Sequence, residues 1–543
     1  MLKIDKINFK NFKGFEDGFL DLQRLNFLIG ANSSGKSSLL KLLLLISQSF
    51  HASSTRLFTL KGNLVDMGEK KNIYKNQDYS KEMEFSFHFS ESVNTANLPE
   101  VCTRAFRLRI RNDLRFLADK LENPEFPRAL LSMTISPDID SMIFCANFLN
   151  QNSEYLVKEN DSEMSEADVP LDYQKVHDAL LLSKDISLLN ITSTVYSVRN
   201  NVETDVPEIV KIRLFNKNEC IFQFRFSTNT HLGVRIYLKG MQKKRIEKYY
   251  NDIKNIIKFN SFQCRRKISA VGFNNVNRAF LSNPVGTLFC QLLEKATSPI
   301  AITLGANKVR HVSPLRAYPK KYYIVDEDGD GGGEKNNSEA ESERMVKLFK
   351  NDKFLLDKVN EWLKHFGHKI EIQRIHESVY QILEVSKKTK MEITNVGFGL
   401  SQILPVLVEP IVASQGDIVI IQQPEIHLHP KAQSILADYF IWVAKAKDIT
   451  LFIETHSEYL LRRLRRRVAE GASSEAEDIF IKPSEVSILS IEKNGDACQV
   501  NKIELNDRGG FKWPKDFMEN EIDDMLAYME INAKDSKNVN LGD

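Results

Sequence analysis

Gly30 to Ser37 read GANSSGKS, the densest run of chemically useful residues in the chain. Gly30 and Gly35 let the backbone curl so that its N–H groups point inward, the arrangement that holds a phosphate. Lys36 brings a full positive charge to the terminal phosphates, and the Ser37 hydroxyl is placed to bind Mg²⁺. Asn32, Ser33, Ser34, Gly35 and Ser38 complete the cradle. Such a loop works only between a strand and a helix. Leu25–Ile29 (LNFLI) is a short apolar run that reads as a buried strand. Residues 37–48 read as a helix, with Leu39, Leu40, Leu43 and Leu44 for packing and a positive dipole end at the loop. A chance Gly-Lys-Ser turn is the plain alternative, and an eight-residue match in this setting disfavours it. The expected ligands are ATP and Mg²⁺.

Three further segments lie far downstream. Residues 395–409 read NVGFGLSQILPVLVE: Gly397 and Gly399 give a flexible turn and Ser401 suits the N-cap of a helix. An ordinary capped helix explains this segment equally well. Residues 416–430 read GDIVIIQQPEIHLHP, where the β-branched run at 418–421 predicts a buried strand ending in Gln422, Gln423 and Glu425. Residues 449–461, ITLFIETHSEYLL, repeat the pattern, with Glu454, Thr455, His456 and Ser457 after the strand. Side chains at the carboxyl ends of parallel strands sit beside the ligand. His427 and His429 stand two apart without a third ligand, so a structural role in the turn is expected rather than a metal.

Together, GANSSGKSS, GFGLSQ, QQPEIHLHP and ETHSEYLL resemble the motifs of ABC-type ATPases of the RecF, SMC and OLD group, and the opening INFKNFKGF is similar to theirs. The resemblance covers about the first 60 and the last 240 residues. It implies an α/β fold: a split P-loop ABC-type ATPase domain with a large α+β insertion and a small C-terminal module. It also implies a homodimer or higher homo-oligomer with shared ATP sites. By resemblance, Lys36 and Ser37 match the Walker A lysine and Mg²⁺ ligand. Gly399 and Ser401 lie in the signature segment that caps the partner's ATP, and His456 matches the switch histidine. Gln422 and Gln423 fall on the two Walker B positions, which makes Gln422 the second residue of the metal shell. Both positions normally carry carboxylates. An amide takes no proton at neutral pH, so Gln423 is a poor general base, and Glu425 is the nearest stand-in; a structural cap on the turn is its equal alternative. Slow hydrolysis is expected.

HVSPLRAYPKKYY, VNEWLKHFG and GGFKWPKDFMENEIDDML further resemble the phage-defence ATPases of Septu systems, also found as effectors beside retron reverse transcriptases. This implies an HNH-type nuclease partner, with a retron reverse transcriptase and its DNA or RNA as a further one. A RecF-like DNA-repair factor, binding DNA, is the competing reading. An OLD-like nuclease is disfavoured, because only Glu519, Asp523 and Asp524 cluster after residue 478.

The four motifs frame the domain organisation: 1–79 as the first ATPase half, 80–300 as the insertion, 301–480 as the second half, and 481–543 as a C-terminal module and tail. Acidic, glycine-rich 326–344 reads as a mobile loop. Strands are expected at 82–89 and 221–226, and a basic amphipathic helix at 243–258, followed by Arg265, Arg266 and Lys267. That helix, like the arginines at 462, 463, 465, 466 and 467, reads as a solvated flank or as a phosphate-backbone contact. A net charge of +2 over 543 residues confines any nucleic-acid site to a local patch. The six scattered cysteines read as reduced thiols, and no apolar run is long enough to span a bilayer, so the expected location is cytoplasmic without a membrane contact.

Overall fold

The computed structural model describes residues 2–51, 56–121, 125–135, 138–156, 171–201, 203–226, 237–238, 248–266, 282–325, 337–386, 389–472, 479–514 and 527–529. The chain forms two compact units: 1–9, 52–59 and 79–302 in one, and 10–51, 60–78 and 303–543 in the other.

The second unit carries the motifs. Strand β1 (Ile4–Phe12) enters it at Lys10, β2 (Phe15–Asp21) and β3 (Leu25–Ile29) follow, and α1 (Lys36–His51) comes after the phosphate loop. β3 is buried along its whole length: four of its residues are apolar, and the buried Asn26 amide donates to the carbonyls of Gln23 and Leu451. Its neighbours come from the far end of the sequence. β11 (Val309–Val312), β16 (Ile418–Gln422), β17 (Thr450–Glu454), β3 and β18 (Val486–Asn494) lie side by side in that order, all parallel. β19 (Ala497–Ile503) returns antiparallel to β18 and leads to β2 and β1. The register sets Gln422 beside Glu454 and Glu454 beside Leu28. Three strands therefore end level at the phosphate loop. Residues 486–503, from the expected C-terminal module, supply two strands of this same sheet.

A smaller sheet in this unit joins β12 (Tyr323–Ile324), β13 (Ile370–Arg374), β14 (Val379–Val385) and β15 (Lys390–Glu392). Helices α8 (Asn337–Asn351), α9 (Lys353–Leu363), α10 (Phe398–Val412), α11 (Pro430–Lys447) and α12 (Glu458–Gly471) complete it. Their apolar faces share one core with β3, β16 and β17. Two expectations need correction. Of the supposed mobile loop 326–344, residues 326–336 lie outside the described residues, and 337–344 open α8 instead, which buries Met345, Val346 and Phe349 in the core. Ser401 is not an N-cap: α10 begins at Phe398 behind Gly397, and the Ser401 hydroxyl donates to the Phe398 carbonyl at 2.8 Å.

The first unit orders β4 (Met83–Asn94), β5 (Asn190–Asn200), β6 (Pro207–Asn216), β7 (Glu219–Arg225) and β8 (Tyr237–Leu238) as an antiparallel meander. Its helices are α2 (Leu98–Lys120), α3 (Glu125–Met133), α4 (Ile139–Gln151), α5 (Tyr173–Ile186), α6 (Tyr250–Ile256) and most of α7 (Pro284–Leu304). The helix expected over 243–258 is shorter: 243–247 lie outside the described residues, and only Tyr250–Ile256 is helical. β9 (Ile257–Asn260) pairs with β10 (Gln263–Arg266), a hairpin that takes the backbone out of the helix. Among the described residues, no helix is long and apolar enough to cross a membrane.

Candidate nucleotide site

The phosphate loop has the shape its glycines predict. Gly30 has φ +140°, and a Cβ there would lie 2.2 Å from the Ile491 carbonyl oxygen, so only glycine fits beside β18. Gly35 has φ +112°, against the Phe15 ring. Ser38 and Leu39 N–H groups donate to the Gly35 carbonyl and start α1. Lys36 is folded back onto the loop: its ammonium donates to the carbonyls of Gly30 at 3.0 Å and Ala31 at 2.7 Å. Burial lowers its pKa, and the Glu454 and Glu425 carboxylates pull it partly back. The buried Ser34 hydroxyl has no hydrogen-bond partner among the described residues. A buried hydroxyl without a partner, a lysine bonded only to carbonyls and a helix N-terminus together fit a polyphosphate. Ser490, Ile491, Glu492, Lys493 and Pro514 line a cleft with Gly30, Ala31, Asn32 and Ser34.

Across the strand ends runs a chain of hydrogen bonds. The Ser37 hydroxyl donates to Glu454 at 2.9 and 3.2 Å. Gln422 Nε2 donates to Glu454 Oε2 at 2.5 Å, and His311 Nε2 donates to Gln422 Oε1 at 2.8 Å. Gln422 offers no free proton on its carbonyl side, so the neutral imidazole carries its proton on Nε2. Burial holds His311 below the ordinary histidine pKa, and its bond to Gln422 only partly offsets that. Arg316, 7% exposed, donates to the carbonyls of Gln422 and Gln423 and clamps the turn after β16.

Gln423 sits in that turn with φ +45°, its N–H donated to the Glu454 carbonyl at 2.7 Å. Glu425 Oε1 accepts the His456 N–H at 2.6 Å. Burial raises the Glu425 pKa, which the His456 bond and Arg316 counter only in part. His456 is held low by desolvation and then by the Lys36 ammonium. His429 caps α11, accepting from the Lys431 N–H at 3.3 Å, and the His427 ring lies 4.8 Å from Phe398. Gly399 packs against that same turn: a Cβ would stand 3.0 Å from the His427 carbonyl oxygen.

Asn32, Ser33, Ser34, Gly35, Lys36, Ser37 and Ser38 thus form one loop, and its Ser37 meets Glu454 and, through it, Gln422. Ser401 stands apart: it is 9% exposed and faces Arg316, Pro319 and Tyr323. His311 and Arg316 went unnoticed in the sequence, although both lie in HVSPLRAYPKKYY. His311 lies inside β11, whose VRHV sequence carries no clear apolar run, and only the strand order makes it a neighbour of β16.

A parallel sheet with a phosphate loop after one strand, and polar strand ends level with it, defines a P-loop ATPase domain. The chain belongs to the AAA ATPase domain family (AAA_15), whose model matches residues 2–461. No curated protein matches it in sequence. Among solved structures it is similar to an SMC head bound to the C-terminal winged-helix domain of ScpA, at 11% identity, covering 93% of this chain and 98% of that one, with a TM-score of 0.33. The SMC head domain of Thermotoga maritima gives 7% identity, 93% and 100% coverage and a TM-score of 0.32. A Pyrococcus furiosus Smc head bound to the ScpA C-terminal domain gives 12%, 93%, 97% and 0.31. Likeness at that level says nothing of this chain's activity or partners.

Proposed function

We propose that this chain is a slow ATP-driven clamp: two copies pair over Mg²⁺-ATP, and the pair governs a separate nuclease in an antiphage complex. The observation that carries the slow clamp is the turn after β16. Both positions where a Walker B carboxylate stands by resemblance are amides, and the carboxylate that follows them in sequence, Glu425, has its Oε1 tied to the His456 N–H. Water activation is then weak, and bound ATP persists. Glu425, with its raised pKa, is the stand-in base, with His456 beside it. Pairing is supported by the surface around the signature segment. Gly397 is exposed with nothing within 4 Å of a Cβ, the Tyr318 ring, 77% exposed, lies 4.9 Å from Phe398, and Leu315, three residues before Tyr318, is 84% exposed. Exposed apolar side chains grouped around a glycine turn suit a contact between copies.

The HNH-type nuclease, and a retron reverse transcriptase beside it, rest on the sequence resemblance alone. Purifying the chain with its genomic neighbours tests them: a nuclease that co-elutes and changes activity when ATP is removed supports the reading, and a chain that elutes alone in every nucleotide state sinks it. The arginines weighed as a phosphate-backbone or partner contact have partners within this chain. Arg462, Arg463, Arg466 and Arg467 pair with acidic residues of this chain, and Arg465 lies over Phe511 and Trp513. Glu519, Asp523 and Asp524, the cluster an OLD-like nuclease would need, lie outside the described residues.

A further inference from the structure

Glu454 ends β17, one strand over from the position where the resemblance places the metal carboxylate. It is 4% exposed, yet its two oxygens face the phosphate-loop side of the sheet. Oε1 lies 2.9 Å from Ser37 Oγ, and Oε2 accepts from Gln422 Nε2. Two oxygens at neighbouring corners of an octahedral Mg²⁺ shell, each bonded at about 2.0–2.1 Å, stand about 2.9 Å apart. Ser37 and Glu454 already have that spacing. Mg²⁺ is typically held by one or two carboxylates together with nucleotide phosphates, so one hydroxyl and one carboxylate suffice from the protein. Gln422 is turned the wrong way for this task. His311 fixes its carbonyl oxygen, which leaves its amide nitrogen toward Glu454, and an amide N–H is a donor without a lone pair for a cation.

We infer that the charged Mg²⁺ ligand of this chain is Glu454, supplied by β17, and that Gln422 is a positioning residue that holds the Glu454 carboxylate against Ser37. The amide at 422 then has a reason. A second carboxylate there would set two like charges at hydrogen-bond distance in a buried place and drive one of them to protonate. The neutral amide instead links His311 to Glu454 without adding a second negative charge. Lys36 also feels that charge.

The inference rests on the Mg²⁺-ATP reading, and its test separates the two. ATP affinity is measured by calorimetry with Mg²⁺ and with EDTA, and Mn²⁺ uptake by the loss of free-ion spectroscopic signal in the presence of a non-hydrolysable ATP analogue. The wild-type chain should bind more tightly with Mg²⁺. Glu454→Gln should lose at least tenfold in Mg²⁺ but stay within about twofold in EDTA, and should no longer take up Mn²⁺. The double variant Glu454→Gln with Gln422→Glu, which moves the carboxylate back to β16, should regain part of the Mg²⁺ effect. Should Glu454→Gln fail to fold, Glu454→Asp keeps the charge, withdraws it by one methylene, and should lose most of the Mg²⁺ gain. A folded Glu454 variant with the full Mg²⁺ gain and wild-type Mn²⁺ uptake overturns the assignment. A wild-type chain that binds no ATP in either condition overturns the nucleotide reading instead.

Discussion

At the scale of single residues the site turns on a few charges. Lys36 is the loop's only full positive charge. Lys36→Ala should weaken ATP binding at least tenfold, about 1.4 kcal/mol, in a calorimetric titration, and unchanged affinity would place the site elsewhere. Chemistry depends on Gln423 and Glu425. Turnover should fall well below the usual enzyme median of about 10 s⁻¹. Gln423→Glu should speed phosphate release in a single turnover, and Glu425→Gln should remove what remains. Fast wild-type release that survives Glu425→Gln would exclude both the slow clamp and this base. His311 adds a pH dependence. Its folded pKa lies below the ordinary 6.5, so the unfolded chain takes up a proton there first. Stability from this group is present above about pH 6.5 and is lost as the pH falls toward the folded value. Melting temperature should therefore drop between pH 7 and 5.5, and drop less in His311→Gln. An equal drop in both would assign it to other groups. The loop itself was legible in the sequence, because its eight residues are contiguous. The partnership of Ser37 with Glu454 was not, since 417 positions separate them and nothing local says that β17 lies beside β3.

At the scale of elements, strands were legible and helix limits less so. LNFLI and IVIIQ are mainly apolar runs, and both are wholly buried strands. The helix expected at 243–258 ends early, at Ile256, because a helical stripe of isoleucines says nothing of the backbone pairing that claims Ile257–Asn260 for β9. The loop expected at 326–344 gives way to helix over 337–344, because its acidic composition hid the start of α8 leading to Met345 and Val346. The arginines of α12 read ambiguously for a third reason: Arg463 and Arg467 find their partner on α11, while Arg462 and Arg466 pair with Glu458 and Glu470 of α12 itself. Asp438 takes Arg463 and Arg467 together, with Arg467 Nε at 2.7 Å. Burial alone would raise the Asp438 carboxyl, but its bonds to Arg467 and Arg463 outweigh this and hold it below the ordinary value. Asp438→Ala would leave the Arg467 guanidinium, 5% exposed, without that partner. Breaking such a pair from one side costs about 3–5 kcal/mol, and the partial exposure of Arg463 favours the lower end. The variant should show an earlier first thermal transition by calorimetry, and a transition within 1 °C of wild type would assign the helix pair's stability to its apolar face.

At the scale of the whole molecule, the open question is how one chain completes a site that pairing would close. By resemblance, Ser401 would reach the partner's nucleotide. In this chain its hydroxyl is bonded to Phe398 and its side chain is buried, so a large residue at 401 would damage α10 before it tested any pairing. Gly397 is the better probe. It is exposed, its φ suits any residue, and a Cβ there meets nothing within 4 Å, so Gly397→Glu should leave the fold and ATP binding intact. In a pair built on this segment, the new carboxylate would face the terminal phosphates of the other copy's ATP across a desolvated gap, where like charges repel strongly. ATP-dependent pairing, followed by light scattering with and without nucleotide, should therefore disappear while calorimetric ATP affinity stays within about twofold of wild type. Gly397→Ala, which adds volume without charge, should pair nearly normally. Equal pairing of wild type and Gly397→Glu would place the contact between copies on another face and remove the composite site from the mechanism.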